Sequence, residues 1–339
     1  MILLGRPVDQ TIDRHERGTF VKEVVVTPGA VPLAMVRKRL ADHEGGTRAP
    51  VLLIHGFGQN RYAWHLPSRS FANYLAKAGY DVFNLDLRGH GRSRGFGGRR
   101  STTVSDYVEG DLPAAVEEVQ RLSGNRPVFL VGHSLGGLVS YAAAPAMDGA
   151  VAGVVSIGSP YHFGRGSASL TAIATFVRLV NVLRLHPNPL VPLKPVGLSL
   201  AAFRQFAESP LYPVPWRGWR KGSLEPQVLS EHLRLAFDRA GLAELAELFE
   251  WAADRQFGGR GSDYGARFEA MDRPLLVIAG THDDLAPPEG VHAGYAHATA
   301  TDKTYRALPL GHIDLLVGRD APNTTWPLVA GWIGARFAA

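Results

Sequence analysis

One pentapeptide, Gly132-His133-Ser134-Leu135-Gly136, constrains this chain more than any other feature, because it follows directly on the apolar run Val128-Phe129-Leu130-Val131. A glycine on either side of the serine, where a side chain would collide with strand or helix backbone, lets a strand turn sharply into a helix and leaves the hydroxyl exposed. The pattern alone is weak in a chain with 38 glycines. Its context is stronger: a buried-type strand precedes it, and Gly137 to Ala144 continues as small residues suited to a helix packed closely on a sheet. Such a turn points to Ser134 as a nucleophile for acyl transfer.

The surrounding sequence supplies the sheet that this turn needs. Val51 to His55, Val82 to Leu87, Val128 to Gly132 and Val151 to Ile157 form strand-like runs, with Ser70 to Ala78, Val104 to Leu122 and Leu135 to Met147 as helices between and after them. The alternation resumes with Leu275 to Ala279 as a strand, Glu289 to Ala298 as a helix, Thr304 to Leu308 as a strand and Trp326 to Phe337 as a closing helix. Phe20 to Thr27 and Leu33 to Leu40 pair antiparallel across Pro28-Gly29. This order predicts an α/β fold, a mostly parallel central sheet with helices on both faces. Between Pro160 and Arg273 no clear strand occurs. An amphipathic helix through Leu170, Ile173, Phe176, Val177, Val180 and Leu183, a proline-broken middle and a helical stretch from Ser230 to Ala253 predict a helical cap insertion. The expected division is a core of residues 1–160 and 273–339 with a cap of residues 161–272. Its apolar stripe either packs on the core or roofs an acyl pocket, with His133, Phe176 and Trp216 as candidate pocket residues.

A serine hydroxyl is a poor nucleophile at neutral pH and needs a base, itself oriented by a carboxylate. His312, in Pro309-Leu310-Gly311-His312, follows the last expected strand, and Asp283 follows Leu275 to Ala279 within Gly280-Thr281-His282-Asp283-Asp284. The chain order Ser134, Asp283, His312 is that of the nucleophile-elbow architecture, and parallel strands deliver such scattered loops to one sheet edge. Asp284, Asp302 and Asp314 stay open as alternative acids, although Asp314, two residues beyond the histidine, suits bracing the local loop. An oxyanion needs preorganised N–H donors. The backbone of Leu135, and of Phe57 in His55-Gly56-Phe57-Gly58, would supply them.

Composition narrows the setting. No cysteine is present, which excludes disulfides, thiolate metal sites and a cysteine nucleophile. Lys+Arg total 36 against 31 Asp+Glu, with the densest basic stretch at Arg88, Arg92, Arg94, Arg99 and Arg100. With no aromatic platform or nucleic-acid module beside it, this stretch argues against nucleic acid as a partner and is compatible with an anionic headgroup or peripheral membrane contact. The N-terminal apolar run is too short for a secretory signal, and no apolar stretch reaches bilayer-spanning length, so the expectation is a soluble, cytoplasmic protein.

Together these residues make the chain resemble the α/β-hydrolase-fold enzymes from about residue 20 to 337 outside the cap. Leu85-Asp86-Leu87-Arg88-Gly89-His90-Gly91-Arg92-Ser93 matches the R-G-x-G-x-S turn that family members carry, where it is structural. Asn60 to Trp64, Ser68 to Asp86 and Gly311 to Gly318 are similar to segments of acid-lipase-like and polyhydroxyalkanoate-synthase-like members. The synthases use a cysteine nucleophile, whereas this chain has Ser134. The resemblance implies a serine hydrolase acting on a small-molecule ester with a hydrophobic acyl group, and neither metal nor organic cofactor. An acyltransferase on the same triad, or an inactive ligand-binding protein on this fold, are the alternatives.

Overall fold

The computed structural model describes residues 1–337 except 42–45, 98–99, 163–189, 210, 213–217 and 255. Its main sheet has nine strands: β1 (Ile2–Asp13), β2 (Glu16–Val26), β3 (Ala34–Leu40), β4 (Pro50–Ile54), β5 (Asp81–Asp86), β6 (Val128–His133), β7 (Val151–Ile157), β10 (Leu275–Gly280) and β11 (Lys303–Leu308), in spatial order β1-β2-β3-β5-β4-β6-β7-β10-β11. From β5 to β11 every neighbouring pair is parallel, while β1, β2, β3 and β5 pair antiparallel.

Strands buried on both faces send alternate side chains into two separate cores. In β4, Leu52 and Ile54 join one core while Val51 and Leu53 join the other; in β6, Val128 and Leu130 part in the same way from Phe129 and Val131. The first core is covered by α2 (Leu112–Leu122) and α3 (Leu135–Ala143), the second by α1 (Phe71–Lys77) and α11 (Thr325–Phe337). Each fully buried aliphatic side chain contributes roughly 1.5–3 kcal/mol. The helix expected from Val104 opens with π-type turns over Asp106–Asp111 before continuing as α2.

β1 corrects the sequence reading, which gave the first residues no strand. It lies at the sheet edge, the one place where a strand tolerates Pro7, which cannot donate to the ladder. A second correction falls between β7 and β10. A two-stranded ribbon forms there from β8 (Leu190–Pro192) and β9 (Arg239–Gly241), where no strand was expected. β9 also divides the helix expected from Ser230 to Ala253 into α6 (Pro226–Leu235) and α7 (Leu242–Asp254), with Gly241 at the break. The same stretch carries α4 (Leu193–Ala202), α5 (Arg204–Ala207) and α8 (Tyr264–Glu269). The helix expected through Leu170 and Leu183 lies outside the described residues. The remaining helices, α9 (Pro288–His297) and α10 (Asp314–Val317), follow β10 and β11.

Candidate active site

Register brings the site together. Ile54 pairs with Gly132, His133 with Ile157, Ile157 with Ile278, and Gly280 with Leu308, so the loops after β4, β6, β7, β10 and β11 leave one carboxyl edge side by side. β5 and β6 lie on opposite sides of β4, so the strand order reverses there, the place where open α/β sheets form a crevice.

Ser134 occupies φ +53, ψ −119, a conformation that costs a non-glycine residue on the order of 1–3 kcal/mol. Its N–H donates to Ile157 O at 3.0 Å, and its carbonyl accepts from Gly137 N at 3.0 Å and Leu138 N at 3.2 Å, which holds the strained turn. Both flanking glycines are required sterically: a Cβ on Gly132 would lie 2.4 Å from Gly136 C, and one on Gly136 would lie 2.2 Å from Ile54 O. Leu135 is the first residue of α3, so its N–H has no acceptor within the helix and adds to the positive helix end.

His312 Nδ1 donates to Asp283 Oδ2 at 2.7 Å, and Asp283 Oδ1 accepts from Leu285 N at 2.9 Å and Ala286 N at 2.7 Å. Both side chains are buried, and with Nδ1 turned to Asp283 the other ring nitrogen, Nε2, is the one that can accept a proton. Ser134 and His312 line the same cavity of about 350 Å³, together with Phe57 and Leu135 and with a largely apolar wall that includes Leu138, Leu193, Phe237, Leu245, Leu248 and Phe249. The Phe57 loop is fixed from behind: His55 Nδ1 donates to Gly56 O at 2.9 Å and its Nε2 accepts from Leu87 N at 3.2 Å. Burial pushes the His55 pKa down, in keeping with that neutral form.

The other acids are engaged elsewhere. Asp314 is buried and its Oδ2 accepts from Gly311 N at 2.9 Å and Arg220 N at 2.8 Å, bracing the His312 loop; burial raises its pKa. Asp302 pairs with Arg336 at 2.5 Å, and Asp284 is exposed.

His133 is a correction. It lies fully buried behind the serine, donates Nε2–H to His312 O at 3.2 Å, has its ring 4.5 Å from the His312 ring at a tilt of 49°, and does not line the cavity. The period of two in β6 carried that signal, since His133 shares the face of Val131 and meets Trp64 edge-on at 6.3 Å. Burial, and next the neighbouring His312, push the His133 pKa well down. Phe176 and Trp216 lie outside the described residues; Trp219 lines the cavity instead, and Gly218 O accepts from Ile313 N at 2.8 Å. Sequence reasoning also missed Gly158, at φ +57, where an added Cβ would lie 3.3 Å from Asp283 Oδ2 and 3.4 Å from His312 Nδ1. Its place directly after β7, at the same sheet edge, was the available clue.

The R-G-x-G-x-S turn is structural in its contacts. Arg88 binds Asp111 at 2.6 Å and Asp106 at 3.2 Å, while Ser93 Oγ donates to Asp86 O at 2.5 Å and accepts from Ala34 N at 2.8 Å.

Among the described residues, no helix is long and apolar enough to cross a membrane. Epoxide hydrolase B of Mycobacterium tuberculosis is 33% identical over 132 residues, 39% of this chain and 34% of that protein, so the chain aligns with only about a third of that relative's length. Human monoglyceride lipase is 26% identical over 247 residues, covering 71% of this chain and 77% of the lipase. Among solved structures, a soluble variant of monoglyceride lipase from Saccharomyces cerevisiae superposes with a TM-score of 0.62 at 18% identity, covering 92% of this chain and 96% of that one, a likeness of fold. The family model described as alpha/beta hydrolase fold matches residues 49–319. With that match over most of its length, and with the sheet order and carboxyl-edge crevice described above, the chain belongs to the alpha/beta hydrolase fold family.

Proposed function

We propose that the protein is a serine hydrolase of carboxylic esters with hydrophobic acyl groups, with Ser134 as nucleophile, His312 as general base and Asp283 as the group that orients it. One observation carries this reading: the strained Ser134 and the Asp283-supported His312 open onto one apolar cavity. Ser134 attacks the ester carbonyl as His312 Nε2 takes its proton, and the backbone N–H groups of Phe57 and Leu135 receive the developing oxyanion. Collapse expels the alcohol, protonated by His312, and leaves an acyl-enzyme that water, activated by the same histidine, hydrolyses. Residues 161–272 act as a cap in this scheme; Leu193, Phe237, Leu245, Leu248 and Phe249 from that stretch supply much of the acyl-binding wall. The similarity to human monoglyceride lipase supports the ester class.

The test is turnover of p-nitrophenyl esters from two to sixteen carbons by the native protein and Ser134→Ala, with fluorophosphonate labelling of both. Hydrolysis and labelling lost in Ser134→Ala are expected. Labelling of the native protein without hydrolysis, together with acyl transfer to an added alcohol or thiol, would make it an acyltransferase instead.

A further inference from the structure

A second cavity, of about 240 Å³, lies behind one wall of the acyl cavity and is lined by cations: Arg61, Arg92, Arg94, Lys194 and Arg234. Two are neutralised, Arg61 by Asp86 at 2.6 Å and Arg94 by Asp238 at 2.8 Å. Among the described residues the other three have no carboxylate partner; Arg234 donates only to Ser230 Oγ, at 3.2 Å. Five cations against two carboxylates leave three positive charges around one opening. The surplus extends to the nearby Lys22, whose ammonium is pushed down first by burial and then by the charges of Arg92, Arg61 and Arg6.

The partition between the two cavities is thin. Gln59 bridges to Phe237, Asp238 N donates to Gly58 O at 2.8 Å, and Asn60 N donates to Ala236 O at 3.1 Å. Phe237 lines both cavities, Gln59 and Leu193 line the acyl side, and their chain neighbours Asn60 and Lys194 line the cationic side. An added Cβ on Gly56 would lie 3.2 Å from Ser134 Cβ, so Gly56 packs against the serine. Asn60 is four residues on and stands within about 14 Å of Gly56 even for fully extended chain. The Gln59 N to Gly56 O turn shortens that span.

We propose that this cationic cavity binds a phosphate-type anion carried by the leaving group of the substrate, which crosses the edge of the partition at Phe237, the residue that lines both cavities, while the acyl chain fills the apolar cavity. Guanidinium groups suit phosphate oxygens in charge and geometry, and a phosphate group carries close to two negative charges near neutral pH. The inference rests on the ester-cleaving reading and names its substrate class: esters or thioesters of a phosphate-bearing alcohol or thiol.

The experiment compares kcat/KM within two matched pairs. One is octanoylglycerol against octanoylglycerol 3-phosphate, and the other is S-octanoylpantetheine against its 4′-phosphate; the pair that responds tells a lipid headgroup from a carrier thiol. The phosphate is expected to raise kcat/KM on the order of tenfold in one pair, with the gain shrinking at high salt. A triple variant, Arg92→Gln, Lys194→Gln and Arg234→Gln, whose folding is followed by Tm, should lose most of that gain, whereas Arg17→Gln on β2 should keep it. Turnover of the neutral esters with no gain from phosphate in either pair, or a gain unchanged in the triple variant, overturns the anion site and leaves the esterase reading standing. Absence of turnover in all four overturns the esterase reading. The Tm shift caused by glycerol 3-phosphate then tests the cavity without chemistry: a rise lost in the triple variant upholds anion binding, and no rise overturns it.

Discussion

His312 Nδ1 stands 2.7 Å from Asp283 Oδ2, while the other carboxylate oxygen of Asp283 is already held by the N–H groups of Leu285 and Ala286. The carboxylate therefore cannot turn without losing backbone hydrogen bonds, and the imidazole it faces must carry its proton on Nδ1.

Asp283→Asn inverts that arrangement. The amide oxygen keeps the two backbone donors, so the NH2 group faces Nδ1 and forces the proton to Nε2, where it blocks removal of the serine proton. A fall in kcat of roughly 10⁴ is expected in ester turnover. Asp284→Asn, on an exposed side chain, should stay near the native rate. A normal rate in Asp283→Asn would move the orienting role elsewhere.

Gly158→Ala tests how closely the pair is packed. At φ +57 alanine costs roughly 1–2 kcal/mol of backbone strain, and its Cβ would press on Asp283 Oδ2 and His312 Nδ1 at 3.3 and 3.4 Å. Both a lower Tm and a slower fluorophosphonate labelling rate are expected. A lower Tm with unchanged labelling would confine Gly158 to a backbone role.

The sequence made β4, β6, β7 and β10 legible because strands buried on both faces keep near-continuous apolar runs. The same edge logic singled out Ser134, Asp283 and His312 as candidates on loops at one sheet edge, since a carboxyl-end loop follows from a strand and a chain order. β1 escaped because its side chains are mostly exposed and Gly5 and Pro7 break the pattern. The cavity wall escaped for another reason: Leu193, Trp219 and Leu245 meet there from separate segments, and no local period records that convergence. His133 continues the face of Phe129 and Val131 to the end of β6, and that period of two directs it into the core and away from the cavity.

Glu247 gives a pH-dependent signature. Its Oε2 accepts from Val104 N at 2.6 Å, and its carboxyl is pushed up to about 7, first by burial and further by Glu244, Glu250 and Asp106. The folded protein then holds this proton at pH values where the unfolded chain has released it. Stability is lost as pH rises from about 4.5, the ordinary glutamate range, towards 7. Glu247→Gln keeps an acceptor for Val104 N and removes the titration. Its Tm should exceed that of the native protein at pH 8 and approach it at pH 5; equal slopes would place the carboxyl's pKa near that of unfolded glutamate.

α7 presents Leu245, Leu248 and Phe249 to the cavity, spaced three and four residues apart on one helix face, while Glu244 and Glu247 on the adjoining face bind Ser101 and Val104 of the core. The helix is thus anchored by its acids and shapes the cavity with its apolar side chains. Leu248 is 3% exposed, so truncating it to alanine would cost roughly 2–5 kcal/mol and confuse specificity with stability. Leu245 is only half-buried and tolerates a change of size better. Leu245→Trp should fill part of the cavity and move the chain-length optimum towards shorter acyl groups, with little change in kcat for a two-carbon ester, whose acyl group does not reach that wall. An unchanged optimum would mean that the acyl chain takes another path from Ser134, and Leu138→Trp, which lines the cavity from α3, would then be the substitution that shortens it.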